Sequence, residues 1–350
     1  MDLTEVQTPS PIMQIDKVEK NMRKMQAYCD ANGLRLRPHV KTHKLTSLAL
    51  RQIELGAVGI TCQKLGEAEV MAAAGVTDIL ISFPLIGAEK ARRLAALARK
   101  VKVSVSADSM LGVSTVRAAA LEAQVDINVL VEFDSGMKRT GVVSVEEALT
   151  LAKEISSAPG LKFAGLMTYP YNSRTVEFAL AARKAFGEAG IPIAVISAGG
   201  TPRAFSVHES GCIDELRVGT YVFNDRNTVI SGAATFDECA LEIIATIVSL
   251  PEPHRAVIDA GSKTLTSDQA AEGSQGHGFL PDYPEAVLAW MSEEHGMLDL
   301  SQCAIRPTLG EKVRIIPNHV CPVINLHDEV LRYADGKLAK LVVSARGLSR

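Results

Sequence analysis

The sequence predicts an α/β protein: a (β/α)₈ barrel of the TIM type joined to a second, mostly β domain. Two observations carry that expectation. From about residue 14 to residue 230, eight short β-branched apolar runs alternate with amphipathic helical stretches, the pattern of a parallel sheet covered by helices. After Asn227 the helical beat stops, and strand-like runs divided by Pro, Gly and acidic turns follow.

The eight runs lie at 34–38, 58–62, 78–82, 102–106, 127–132, 163–168, 193–197 and 215–218. Between them stand helical stretches such as GAEKARRLAALARK at 87–100 and RTVEFALAARKAFGEAG at 174–190. Eight parallel strands close naturally into a barrel, and no GxGxxG follows the first strand to favour an open, doubly wound sheet. A first helix, from Lys17 to about Asn32, precedes the first barrel strand. Residues 11–15 (PIMQI) therefore read as an extended segment that joins the second domain. The expected division is a barrel over 14–230, with 1–13 and 231–350 forming the β domain. Strands are expected there at 241–250, 255–261, 312–317 and 340–347, and a Gly- and His-rich loop at 271–283.

Composition narrows the function classes. The 350 residues are 47% apolar and 22% charged, enough for a sizeable core under an ordinary soluble surface. A formal net charge of −3, with no Lys/Arg cluster interleaved with aromatics, argues against a nucleic-acid binder. The opening MDLTEVQTPSPIMQID lacks a basic start and an apolar core, so no secretory signal is expected. No apolar run reaches membrane-spanning length, and no membrane partner is expected. The six cysteines lie far apart with no CxxC, which suggests a reducing, cytoplasmic compartment. All but Cys321 read as small buried hydrophobes.

In a barrel, chemistry gathers at the carboxyl ends of the strands. RPHVKTHK, 37–44, follows the first strand and is the densest polar cluster in the chain. A lysine there, among other cations, gives up its proton more readily and can attack an aldehyde to form an imine. Lys41 and Lys44 are both candidates, with Lys41 nearer the strand end. SAGGTPR, 197–203, follows the seventh strand, where Gly199, Gly200 and Thr201 can turn backbone N–H groups and a hydroxyl onto an anion. EFDSGMKRTGV, 132–142, follows the fifth strand and aims Arg139 across the mouth, its guanidinium suited to a phenolate or carboxylate. Tyr169, in LMTYP, faces the same space or serves as wall packing. In the β domain, PNHVCP at 317–322 carries His319 and Cys321. If that segment is extended, the two side chains point the same way, and imidazole with thiolate suits zinc. Two ligands leave room for water and substrate; His277, His295 and His327 are each isolated in the sequence.

Taken together, TPSPIMQID, RPHVKTHK, DSGMKRTGV, SAGGTPR, ELRVGTYVFND, DAGSKTLTSD and PNHVCP resemble the fold-type III pyridoxal phosphate enzymes of the D-threonine aldolase and eukaryotic-type D-serine dehydratase family, along the whole chain. The resemblance implies an alanine-racemase-like barrel followed by a β domain, assembled as a homodimer. It implies pyridoxal 5'-phosphate held as a Schiff base on Lys41, with Arg139 near the phenolic oxygen. Gly199, Gly200 and Thr201 match phosphate contacts, and Tyr221 matches the tyrosine near the pyridine nitrogen. Tyr169 matches more loosely, since the chain reads YPYN there. His319 and Cys321 match the metal pair. The implied substrates are D-configured β-hydroxy-α-amino acids.

A His-x-Cys pair favours zinc over manganese or magnesium because thiolate is soft. It resembles the dehydratase branch, whereas the better-known aldolases use a histidine and a carboxylate. The expectation is therefore a lyase that dehydrates D-serine, D-threonine or a 3-hydroxy-D-aspartate-like acid to a 2-oxo acid and ammonia. Retro-aldol cleavage to glycine and an aldehyde is the alternative. A racemase and a non-enzymatic cofactor-carrying barrel are the rivals from other classes.

Overall fold

A computed structural model describes residues 5–271 and 273–350. The chain divides into two compact units. One comprises Lys24–Lys41, Leu45–Gly219 and Leu348–Arg350, and the other the residues up to Arg23, Thr42–Lys44 and Thr220–Gly347. The first strand, β1 (Ser10–Gln14), belongs to the second of these.

The first unit holds eight strands: β2 (Arg35–Leu36), β3 (Ile60–Cys62), β4 (Asp78–Ile81), β5 (Lys102–Ala107), β6 (Ile127–Glu132), β7 (Leu161–Met167), β8 (Val195–Gly199) and β9 (Glu215–Arg217). They pair in the order β2-β9-β8-β7-β6-β5-β4-β3, every neighbour parallel. A parallel bridge between His39 and Thr61, with Val58 N–H on Leu36 O at 2.9 Å and Thr61 N–H on Pro38 O at 2.7 Å, joins the two ends and closes the barrel. All eight expected strands are present. The seventh runs from Val195 to Gly199, two residues later than expected. Helices alternate with the strands and several start on their own caps. Ser144 and Glu147 form a capping box for the helix Val145–Ser157, and the Asn172 side chain accepts the Thr175 N–H at the start of Ser173–Glu188. Each strand thus ends at the same rim, which is where a parallel barrel exposes polar side chains.

Among the described residues the second unit is built on a nine-stranded sheet. Its spine is β10 (Leu241–Glu252). Its first half pairs antiparallel with β1 on one side and with Lys312–Pro317 on the other, and its outer half pairs with β11 (Arg255–Ile258). Val6, Ile12 and Ile244 form a buried cluster against which Leu331, Tyr333 and Leu338 pack. The extended reading of residues 11–15 thus matches β1. The C-terminal strand lies earlier than expected, at Lys337–Val342, because Ala345 has left the sheet and donates its N–H to Lys44 O. Strands at Val287–Met291, Gly296–Asp299 and Glu329–Ala334 had no clear sequence signal. No helix among the described residues is long and apolar enough to cross a membrane. Cys29, Cys62, Cys212, Cys239 and Cys303 are buried and outside any disulfide among the described residues, whereas Cys321 is partly exposed.

Candidate active site

Lys41 sits on a short 3-10 turn, Val40–Thr42, just past the end of β2. The ladder continues up to it, since the His39 N–H donates to Val218 O at 2.8 Å. The Lys41 Nζ donates to Gln63 Oε1 at 3.4 Å, and the same oxygen lies 3.1 Å from His39 Nε2. Gln63 Nε2 donates to Ser82 O at 3.1 Å, which fixes the amide with its oxygen toward the lysine. Ser82 Oγ meets His39 Nε2 at 3.2 Å. Three adjacent strand ends thus supply one polar cluster around the amine. Lys44 is placed differently: it is buried, and its Nζ donates to Ala345 O at 3.3 Å.

Across the mouth, the Tyr169 ring has the Lys41 Nζ at 6.0 Å and the Arg139 guanidinium at 5.3 Å from its centroid. Arg139 is carried by a tight loop after β6. Asp134 Oδ1 accepts the N–H groups of Gly136 at 2.9 Å and Lys138 at 3.0 Å, an Asx-type turn. The Thr140 hydroxyl donates to Glu132 Oε1 at 2.7 Å, and the Gly141 N–H to Asp108 Oδ2 at 3.0 Å. Burial pushes the Glu132 carboxyl up, against the Thr140 hydrogen bond and the Arg217 and Arg139 charges that pull it down. Sequence reasoning passed over Glu132 as the last residue of a strand.

The SAGG turn differs in detail from the expected anion cradle. The Gly200 N–H donates to Arg217 O at 3.1 Å, so it is spent on the barrel wall. Gly199 is a glycine because β8 and β9 approach closely: a Cβ there would lie 1.7 Å from Arg217 O. Gly200 has φ +129, and a Cβ on it would meet the Tyr169 ring at 3.3 Å. The group left to meet an anion is Thr201, whose buried hydroxyl has no hydrogen-bond partner among the described residues. Lys41, Tyr169, Arg139 and Gly200 are thus brought together in the barrel unit, with Thr201 next to Gly200 in the chain.

Tyr221, His319 and Cys321 belong to the other unit. Tyr221 is buried on the turn Thr220–Val222. His319 and Cys321 are not on an extended segment as the spacing suggested. The strand ends at Pro317, His319 is the N-cap, and Val320–Leu326 is a helix. The turn is set by Asp225, whose Oδ2 accepts the Val320 N–H at 3.1 Å while its Oδ1 accepts the Thr228 N–H at 2.8 Å. Cys321 nonetheless stays close enough to His319 to act on the charge of its imidazole. Burial lowers the His319 imidazole, but Cys321 and Asp268 outweigh it and raise the ring to about 9. Asp268 Oδ2 lies 2.6 Å from His319 Nδ1, and the Thr42 hydroxyl lies 3.2 Å from Cys321 Sγ. Neither Asp268 nor Thr42 was singled out from the sequence; each meets its partner across a separation that leaves no spacing signal. Among the described residues no three His, Cys, Asp or Glu side chains are grouped as a metal cage.

Residues 13–227 match the family model for the alanine racemase N-terminal domain, and residues 240–333 that for a putative serine dehydratase domain. The chain is 37% identical to a D-threonine aldolase of Arthrobacter sp, over 99% of this chain and 95% of that one. It is 31% identical to a D-threo-3-hydroxyaspartate dehydratase of Delftia sp. (strain HT23), over 91% and 92%. A crystal structure of a D-threonine aldolase from Filomicrobium marinum is similar at a TM-score of 0.89 and 32% identity, covering 99% and 97% of the two chains. The Delftia enzyme's structure is similar at 0.88 and 28%, covering 97% and 98%. Of two further structures of a D-threo-3-hydroxyaspartate dehydratase, each 27% identical, one carries alanine in place of a histidine and the other in place of a cysteine two positions later. The cysteine variant is in a metal-free form.

Proposed function

The chain belongs to the alanine-racemase-like family of fold-type III pyridoxal phosphate enzymes, among relatives of D-threonine aldolase and D-threo-3-hydroxyaspartate dehydratase, and we propose that it is a pyridoxal phosphate- and metal-dependent lyase that cleaves D-configured β-hydroxy-α-amino acids to glycine and an aldehyde. The observation that carries this reading is the 37% identity to a D-threonine aldolase along 99% of the chain. It replaces dehydration, the first expectation from the His-x-Cys pair, as the favoured outcome.

The residues present fit the cofactor. Lys41 offers an amine at the barrel rim for the aldehyde carbon, and the commitment of Lys44 to Ala345 O supports this choice. The buried, unpartnered Thr201 hydroxyl suits a phosphate oxygen. The Lys41 amine and the Arg139 guanidinium both lie near the Tyr169 ring, which suits Arg139 to the cofactor's ring oxygen and Tyr169 to the substrate side. His319 and Cys321, an imidazole and a thiol two residues apart, are the side chains that would hold a divalent ion, zinc before manganese or magnesium. When bound, the cofactor supplies an electron sink at Cα and the metal a Lewis acid for the β-oxygen.

The chain's own part is orientation and proton handling. Gln63, fixed by Ser82 O, holds the Lys41 Nζ at the rim, where it can move a proton at Cα. Arg139, anchored by the Asp134 turn, presents a fixed fork to an anionic oxygen.

One observation favours dehydration as a second reading: His319 and Cys321 have the same two-residue spacing as the histidine and cysteine replaced in the dehydratase structures. The reactions differ at the β-oxygen, which leaves in dehydration but loses only its proton in cleavage. Product analysis of the cofactor- and metal-loaded enzyme with D-threonine separates them. Glycine and acetaldehyde are expected; 2-oxobutanoate and ammonia would instead establish dehydration.

A further inference from the structure

Asp268 is the last residue of DAGSKTLTSD, a segment of the β unit far from PNHVCP in sequence. Its backbone and its side chain are both tied to that motif. Asp268 O accepts Asn318 Nδ2 at 2.9 Å, and Asp268 Oδ2 lies 2.6 Å from His319 Nδ1. Asn318 is itself buried, and both ends of its amide are hydrogen-bonded. Its Nδ2 also donates to Gly276 O at 2.9 Å, and its Oδ1 accepts from Arg226 Nη1 at 3.3 Å. The Asp268 N–H donates to Thr266 Oγ1 at 3.2 Å, which sets the turn that delivers the carboxylate. The contact is thus built from two directions, because residue 318 fixes the main chain of 268 while residue 319 meets its side chain.

A carboxylate accepts hydrogen bonds and cannot donate them once ionised. At 2.6 Å it holds an imidazole proton on Nδ1, so Nε2 is the nitrogen left to bind a metal once its own proton is released. Histidines that bind metals commonly give their other ring N–H to a carboxylate, which sets the tautomer, the ring orientation and the ligand basicity.

We infer that Asp268 is the positioning residue of the metal pair: it acts through Nδ1 of His319, fixes Nε2 as the metal-binding atom, and is not itself a ligand. This inference rests on the assignment of His319 and Cys321 as the metal pair.

The test uses the full-length holoenzyme freed of metal, with zinc and cobalt(II) as probes. Zinc affinity, read by chelator competition, should fall about 10- to 100-fold in D268A and D268N. D268E should recover most of it by restoring an anionic acceptor. Cobalt(II) at saturation should give a thiolate charge-transfer band in the wild type and in D268A, and none in C321S. Long-range proton–nitrogen NMR of histidine-labelled, zinc-loaded enzyme should show His319 with its proton on Nδ1 and metal on Nε2. Zinc binding in D268A as tight as in the wild type, or metal on Nδ1, would overturn the role of Asp268 while leaving the metal pair intact. A wild-type protein with no Cys321-dependent cobalt band would remove the metal pair, and the inference with it.

Discussion

The hydroxyl of Thr42 lies 3.2 Å from the sulfur of Cys321, and Thr42 is the residue that follows Lys41. One peptide unit therefore separates the proposed cofactor lysine from a side chain that contacts a proposed metal ligand. When Cys321 is a thiolate, the hydroxyl is the donor, and a donor to sulfur stabilises the anion. Replacing Thr42 by Val keeps the shape and removes that donor. T42V should weaken zinc binding roughly fivefold, about 1 kcal/mol for a hydrogen bond of this kind. T42S should leave it near the wild-type value. Chelator competition on the two variants checks this; equal affinity in T42V would show that the contact is only packing.

Thr201 allows a prediction with two opposite signs. Its hydroxyl is buried without a partner among the described residues, a cost to the cofactor-free protein. T201V should therefore leave the cofactor-free enzyme as stable or up to about 1 kcal/mol more stable. The same substitution should weaken pyridoxal phosphate binding by about tenfold, through loss of a hydrogen bond to a charged oxygen. Denaturant titrations without cofactor and cofactor titrations by absorbance read the two effects separately. Loss of stability without loss of affinity would move Thr201 from the phosphate to the barrel wall.

Glu132 sets a pH dependence of stability. Burial raises its carboxyl in the folded state, so the native protein holds the proton where the unfolded chain has released it. Its burden is absent below the ordinary carboxylate range, grows as pH rises through the folded value, and is constant above that. E132Q keeps an acceptor for the Thr140 hydroxyl. Its stability relative to the wild type should therefore increase as pH rises through that window. Unfolding free energies of both proteins from pH 5 to pH 8 check the slope; a difference that shrinks with rising pH would contradict the assignment.

The barrel was legible because its signal is local. Runs such as VKVSVSA and INVLVE announce buried strands, and helices such as Val145–Ser157 carry their caps in the sequence. The β unit was less legible. Val287–Met291 places Trp290 largely in solvent and breaks register between Leu288 and Trp290, so no clean alternation marks it. The turn at PNHVCP was misread because the helix after His319 depends on Asp225, which takes the Val320 N–H from 95 residues away. The same reason hid Thr42 and Asp268. Their roles come from contacts that only the folded chain makes, whereas Lys41, Arg139 and Tyr169 could be placed by the rule that barrel chemistry sits at strand ends.

Lys41 is the residue on which the whole account depends, and its bond to the cofactor can be read directly. Borohydride reduction of the pyridoxal phosphate-loaded enzyme, followed by proteolysis and mass mapping, locates the modified lysine. A single adduct on Lys41, absent from a folded K41A protein that has also lost its visible absorbance, is the predicted result. An adduct on Lys44 or on any other lysine, or none at all in a protein saturated with cofactor, would contradict it.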